Sequence, residues 1–326
     1  MRTSPWGVLV LLLTVSACGS TAGGAAAPAT HPTSGSRASR SPSSPAPHDP
    51  AWVTGRVTTG SQPCGILGAA GRVWVSDLGN DDLVAVDPTT LHVGHSIKVG
   101  TKPCGLAFGG GSVWVEDYGS AQVTRVDARA GRVEHTYRVG GSPYDVTYAA
   151  GAAWVTNFAD GTVSRVDAAS GKVTTVQVGG SPTGIAPGAG SVWVGTGAGG
   201  IVGIDTATSR VTRRIHTPGP AGWTAYDARH VWVNVADQVW ELDARSGRVI
   251  ARQRAGTHPE DGSVVAGVAW VPDADGMVRR FGPGASGKPF ASGVGNPFVL
   301  AAYRGRVWIV DFAGTDVVRL DPSRVP

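Results

Sequence analysis

Most residues of this chain that could do chemistry are carboxylates in loops. Asp77, Asp117, Glu260, Asp261, Asp273 and Asp311 fall at strand ends and turns, and Lys102 is the clear base in those loops, with His258 a partial one. An acidic face attracts cations or basic ligands and steers their approach. It also argues against DNA or RNA as the partner. Tyr144, Trp223 and Phe298 fall at corresponding places along the chain. Aromatic and acidic groups around one funnel suit an apolar, cationic or sugar-like ligand. Turn chemistry alone also accounts for Asp in loops, and ordinary packing for loop aromatics. His258-Pro259-Glu260 puts a His and a Glu together, so Glu260 and His258 are the acid–base pair an enzyme would use here. No Gly-x-Ser-x-Gly, phosphate loop or His-Glu-x-x-His occurs. Cys64 and Cys104 have no His or third Cys at ligand spacing, so a metal site built on them is not expected.

Those residues must be held by a folded body, and the composition supplies one. The 326 residues are 41% apolar with 11 Trp, which excludes a wholly disordered chain. Charged residues make up only 16%, and the net charge of +4 gives no reason to invoke nucleic acid. The first fifty residues differ from the rest. Arg2 precedes an apolar run over 7–15, too short for the roughly 20 residues that span a bilayer. The run ends in Val15-Ser16-Ala17-Cys18, which resembles a bacterial lipobox. Residues 1–17 are therefore expected to be a signal peptide. Cys18 would be the lipidated new terminus, anchoring the chain to the outer face of the bacterial cell membrane. Residues 18–50 are Ala, Pro, Ser, Thr and Gly with almost no large apolar side chain, the composition of a disordered tether.

Residues 51–326 are ruled by a repeat. Trp stands in an apolar triplet at 74, 114, 154, 193, 232, 270 and 308, spaced 40, 40, 39, 39, 38 and 38 apart. Eleven residues before each Trp stands Pro63, Pro103, Pro143, Pro182, Ala221, Pro259 or Pro297. Asp87, Asp127, Asp167, Asp205, Asp243 and Asp321 recur after the third apolar run, where their carboxylates would cap turns. Each unit holds four short strands parted by Gly-rich turns, and no helical periodicity persists. Seven such units predict an all-β, seven-bladed propeller of four-stranded blades. The last unit has three strands, and Trp52 to Val57 aligns with a fourth, so the N-terminal strand should complete blade seven. The lower turns are rich in Arg and Lys, the upper loops in Asp and Glu.

Blade three reads Ala153-Trp154-Val155-Thr156-Asn157-Phe158-Ala159-Asp160-Gly161. It resembles the YVTN-type β-propeller repeat, whose hallmark is an aromatic followed by Val-Thr-Asn. Residues 52–321 are also similar, blade by blade, to the virginiamycin B lyase (streptogramin lyase) propeller family. That resemblance implies seven blades and a Mg²⁺-dependent C–O lyase using His and Glu on one face. Where lyase blades carry Pro-His, this chain has Cys64, Cys104, Tyr144, Thr183, Gly222, Glu260 and Phe298. A non-catalytic binder of a ligand or envelope protein is thus the first expectation, without a cofactor. A Mg²⁺-dependent lyase or related hydrolase is the second, and a structural envelope protein the third.

Cys64 and Cys104 occupy one position in adjacent blades. If inner strands lie roughly 7 Å from the axis, their Cα atoms are about 6 Å apart, within disulfide reach. Export to an oxidising compartment favours the bridge over two buried free thiols.

Overall fold

The computed structural model describes residues 49–285 and 288–326. The signal segment, Cys18 and the tether up to residue 48 lie outside the described residues. The rest forms seven antiparallel sheets of four strands each. Each inner strand lies against the inner strand of the next sheet, and the last against the first, so the ring closes. One 3₁₀ turn at Pro322–Arg324 is the only helix among the described residues, and none there is long and apolar enough to cross a membrane.

Blade 2 shows how the sequence dictates this. Pro103–Gly109, Ser112–Asp117, Gln122–Asp127 and Arg132–Arg138 form its strands. The first turn places Gly110 and Gly111 at φ 62° and 81°, where a side chain is disfavoured. Ser112–Asp117 is buried at every position, as a strand covered on both faces must be. Seven hydrophobic clusters lie one at each joint between blades, and each contains one repeat Trp. Trp114 of blade 2, for example, packs with Ala153, Val155 and Val166 of blade 3. Six repeat Trp are at most 1% exposed and Trp270 is 4% exposed. In the first three blades the indole N–H donates to the carbonyl five residues earlier. Truncating one such Trp to Ala should cost about 3–5 kcal/mol.

The ring is closed by the N-terminal strand. Val53–Thr58 pairs with Asp316–Leu320, from Val53 opposite Leu320 to Thr58 opposite Asp316. Arg319 strengthens the seam by donating to the carbonyls of Thr54 at 3.0 Å and Pro88 at 2.8 Å. A disulfide joins Cys64 to Cys104, with Cα atoms 5.0 Å apart, and ties blade 1 to blade 2.

The lower turns repeat one device. Asp87, Asp127, Asp167, Asp205, Asp243 and Asp321 each accept a backbone N–H two or three residues ahead. Blade 6 departs from the pattern. Its inner strand shrinks to Ser263–Val265 and its outer strand to Phe290–Ala291. Before that stub, the Asp261 N–H donates to the Phe298 carbonyl (3.0 Å), and the Asp261 carbonyl accepts from Leu300 (3.2 Å). The chain there bridges both blades, since the Glu260 N–H donates to the Pro272 carbonyl of blade 6 at 2.9 Å.

Candidate functional site

The upper mouth of the ring is lined by the residues that follow the repeated Pro. In blade 3 these are Tyr144 and Asp145, in blade 6 Glu260 and Asp261, in blade 7 Phe298 and Val299. The geometry sorts the expected binding residues into two groups.

The first group is scaffold. Asp77 is fully buried and accepts from the backbone N–H of Ser61, Gln62 and Gly79 at 2.9–3.1 Å. Asp117 is fully buried and accepts from Gly100 N–H at 3.0 Å and the Thr124 hydroxyl at 2.6 Å. Asp273 is 1% exposed, accepts from Asp275 N–H at 3.2 Å and pairs with Arg279 at 3.3 Å. Asp311 accepts from Asn296 N–H at 3.1 Å. All four stand three residues after a repeat Trp and hold the connection from the preceding blade. Glycine precedes them for a steric reason: a Cβ at Gly60 would lie 1.6 Å from the Asp77 carboxylate, and one at Gly256 1.7 Å from that of Asp273. Asp77, Asp117 and Asp273 are thus buried and engaged by the chain itself, whereas Asp311 is half-buried and accepts through Oδ1. The expectation for Trp223 is corrected: it is 7% exposed and packs in the cluster between blades 5 and 6, against Gly262.

The second group converges on the mouth. Tyr144 is 43% exposed and stacks on Phe158, with ring centres 6.0 Å apart. Phe298 is half-buried beside Phe312, ring centres 4.5 Å apart. Glu260 and Asp261 are half-buried, and neither carboxylate has a hydrogen bond or ion pair among the described residues. Burial, then the charges of Asp261 and Asp273, push Glu260 up to about 7. Burial pushes Asp261 up to about 6. Across the mouth, burial and then the Asp261 charge push Asp145 up to about 7. Asp145 partly offsets this by accepting from its own Val146 N–H at 2.7 Å and from Ile185 N–H of blade 4 at 2.9 Å. Burial, then the charges of Asp261, Glu260, Asp145 and Glu116, push the Tyr144 phenol up.

Glu116 and Asp145, acidic residues that the sequence also places on this face, join the group. In three blades the second residue after the repeat Trp staples its blade to the next. Ser76 accepts from Gly65 N–H and donates to the Cys104 carbonyl at 2.7 Å. Thr156 accepts from Asp145 N–H and donates to the Thr183 carbonyl at 2.7 Å. Asn234 donates to the Pro259 and Glu260 carbonyls at 3.3 and 3.0 Å, and so fixes the Glu260 loop. Glu116 takes this position in blade 2. Its Oε2 accepts from Gly105 N–H at 3.1 Å, while its fully buried Oε1 meets no partner. Burial, reinforced by Asp117 and Asp145, drives its pKa well above the ordinary carboxylate range.

His258 stands apart. It is exposed, its backbone N–H donates to Asp273 at 3.4 Å, and no hydrogen bond or ion pair joins its ring to Glu260 among the described residues. The lyase resemblance implies Mg²⁺; among the described residues no group of three His, Cys, Asp or Glu is placed to hold a metal ion. A groove of about 530 Å³ lies elsewhere, against Arg138, Asp160, Thr162, Ser164 and Gln177.

No protein-family model and no curated protein matches this chain. Solved structures do. Hydrazine synthase of Kuenenia stuttgartiensis aligns with a TM-score of 0.71 at 12% identity, over 82% of this chain and 97% of that one. The computationally designed Ika8 protein aligns with a TM-score of 0.59 at 14% identity, over 81% of this chain and 98% of that one. At these identities the likeness speaks for the propeller fold alone.

Proposed function

We propose that this protein is an exported, lipid-anchored propeller that binds a ligand or a partner protein at its acidic mouth, without chemistry of its own. The observation that carries this reading is the Glu260–Asp261 pair. Two adjacent carboxylates are half-buried with no cation beside them, in the one blade whose inner strand is broken off to present them. A fold maintains such desolvated charge at a cost, and a positively charged occupant removes that cost. Rigid blades and variable loops suit recognition.

The anchoring half of the proposal draws on Val15-Ser16-Ala17-Cys18. The Cys64–Cys104 disulfide agrees with an oxidising compartment. The first described strand starts on the rim opposite the mouth, since Val53 pairs with Leu320 beside the Asp321 cap. A tether from Cys18 would then leave the mouth facing away from the membrane.

A Mg²⁺-dependent lyase or hydrolase is the second reading. Only the near-neutral proton affinity of Glu260 favours it, since that would suit a general acid or base. Cross-linking on intact cells separates the readings. A cross-linked species present with the native chain and lost in Glu260→Gln and Asp261→Asn supports binding at the mouth. An identical pattern in all three chains contradicts it.

A further inference from the structure

Resting on the reading of the mouth as a binding site, we infer that its ligand is a protonated amine, an ammonium group with N–H donors on an apolar stem.

Charge comes first. Glu260 and Asp261 of blade 6 share the upper mouth with Asp145 of blade 3, and no Lys, Arg or His forms an ion pair with them or with Glu116 among the described residues. Arg279 is held by Asp273 at 3.3 Å and Asp275 at 2.8 Å. A neutral polyol would leave the carboxylates uncompensated, and an anion would be repelled.

The second observation is independent of charge. The buried atoms without partners in the wall of this mouth are acceptors: Glu116 Oε1, fully enclosed beside Asp145, and Asn234 Oδ1, on the side chain that fixes the Glu260 loop. At the matching position, the Ser76 and Thr156 hydroxyls complete their bonds by both accepting and donating. The Glu116 and Asn234 oxygens are enclosed and take no ligand themselves; the acceptors open to a ligand are the half-buried Glu260 and Asp261 carboxylates, which a donating group would meet. Ammonium N–H groups would meet the adjacent Glu260 and Asp261 carboxylates through charge-assisted hydrogen bonds, with the Asp145 charge across the mouth adding attraction. A quaternary ammonium supplies the charge without the donors. A bare metal ion lacks three ligands that could hold it.

The third observation is aromatic. The Tyr144–Phe158 and Phe298–Phe312 pairs lie in blades 3 and 7 at the same rim. Ring faces attract a cation and cover an alkyl stem. The ionised carboxylates are the binding form, so the amine competes with protons and binding weakens in acid.

The test is calorimetric titration of the full chain at pH 8 with n-butylammonium, tetramethylammonium and MgCl₂ in turn. Glu260→Gln and Asp261→Asn run alongside, each checked for native near-ultraviolet circular dichroism. The expected result is saturable binding of n-butylammonium, with tetramethylammonium about tenfold weaker, the size of one lost charged hydrogen bond. Each variant should weaken the amine by about tenfold or more. Tetramethylammonium binding equally well, or Mg²⁺ binding in preference, with the effect lost in the variants, would overturn the amine inference and leave the mouth as the site. No binding by any probe, or binding unchanged in both variants, would overturn the inference and the site together.

Discussion

The two rims of this ring use the same side chain to opposite ends. On the lower rim, Asp87, Asp127, Asp167, Asp205, Asp243 and Asp321 cap backbone N–H groups. Those bonds favour the ionised form and lower every one of the six, Asp167 to about 2. At the upper mouth, burial dominates and Glu260, Asp261 and Asp145 rise to between about 6 and 7. The lower carboxylates repeat from blade to blade, and the upper ones do not. Repetition marks what builds the fold, whereas departure from the repeat marks what the fold can be used for. Asp77 and Asp117 show that height alone does not decide the matter, since they lie on the upper side yet belong to the scaffold.

The largest expected effect is on the scaffold that both rims share. Replacing Cys64 and Cys104 by Ala opens a link across a sequence separation of 40 residues. Equilibrium urea unfolding should show a loss of about 3–4 kcal/mol on chain-entropy grounds. An unchanged midpoint would mean that blade packing alone holds the first joint.

Next is the contrast between a repeating and a non-repeating carboxylate of the upper side. Asp77→Ala strands three backbone N–H groups in a buried connection and should cost about 2–4 kcal/mol. Asp261→Asn removes a desolvated charge without a partner and should raise stability at pH 8. If both variants lose stability alike, the division between scaffold and site fails.

The pH dependence of stability should carry both signs. A carboxylate with a raised folded pKa binds more protons folded than unfolded, between its unfolded value near 4 and its folded value near 7. Stability from the mouth is therefore lost as pH rises through about 6 to 7. A lowered carboxylate binds fewer protons when folded, so stability from the lower caps is lost as pH falls from about 4 towards 2. Thermal melts should thus peak near pH 4 to 5. The double variant Glu260→Gln, Asp261→Asn should flatten the alkaline side alone. The smallest effect belongs to one lower cap: Asp167→Asn should lose a little stability above pH 4 and nothing near pH 2.

Much of the fold is legible because its cause is periodic. Trp spacing, the Pro eleven residues before it and the spare strand at Trp52 to Val57 each recur or complete a recurrence. The site is legible only where a residue breaks the repeat in the exposed ring. Tyr144, Glu260 and Phe298 do so at positions that hold Cys in the first two blades, and Asp261 at the next position, where Gly65 and Gly105 stand. The same comparison, carried to the third residue after each Trp, shows Asp77, Asp117, Asn157, Asp273 and Asp311 recurring as scaffold. Glu116 and Asp145 break it where other blades have Ser76 and Thr156, or Gly65, Gly105 and Gly184. Those breaks could be seen in the sequence. Their burial and the orphaned Glu116 oxygen could not, because both depend on how closely neighbouring blades approach. Trp223 was opaque for a similar reason: the shortened strand of blade 6 draws it into the joint.

The most direct measurement is a carboxyl ¹³C NMR titration of the full chain, with Glu260 and Asp261 assigned through Glu260→Gln and Asp261→Asn, and Asp167 through Asp167→Asn. Glu260 is expected to titrate near 7, Asp261 near 6 and Asp167 near 2. Midpoints near 4 for all three would mean that the mouth is as wet as the lower rim, and would contradict a desolvated site waiting for a cation.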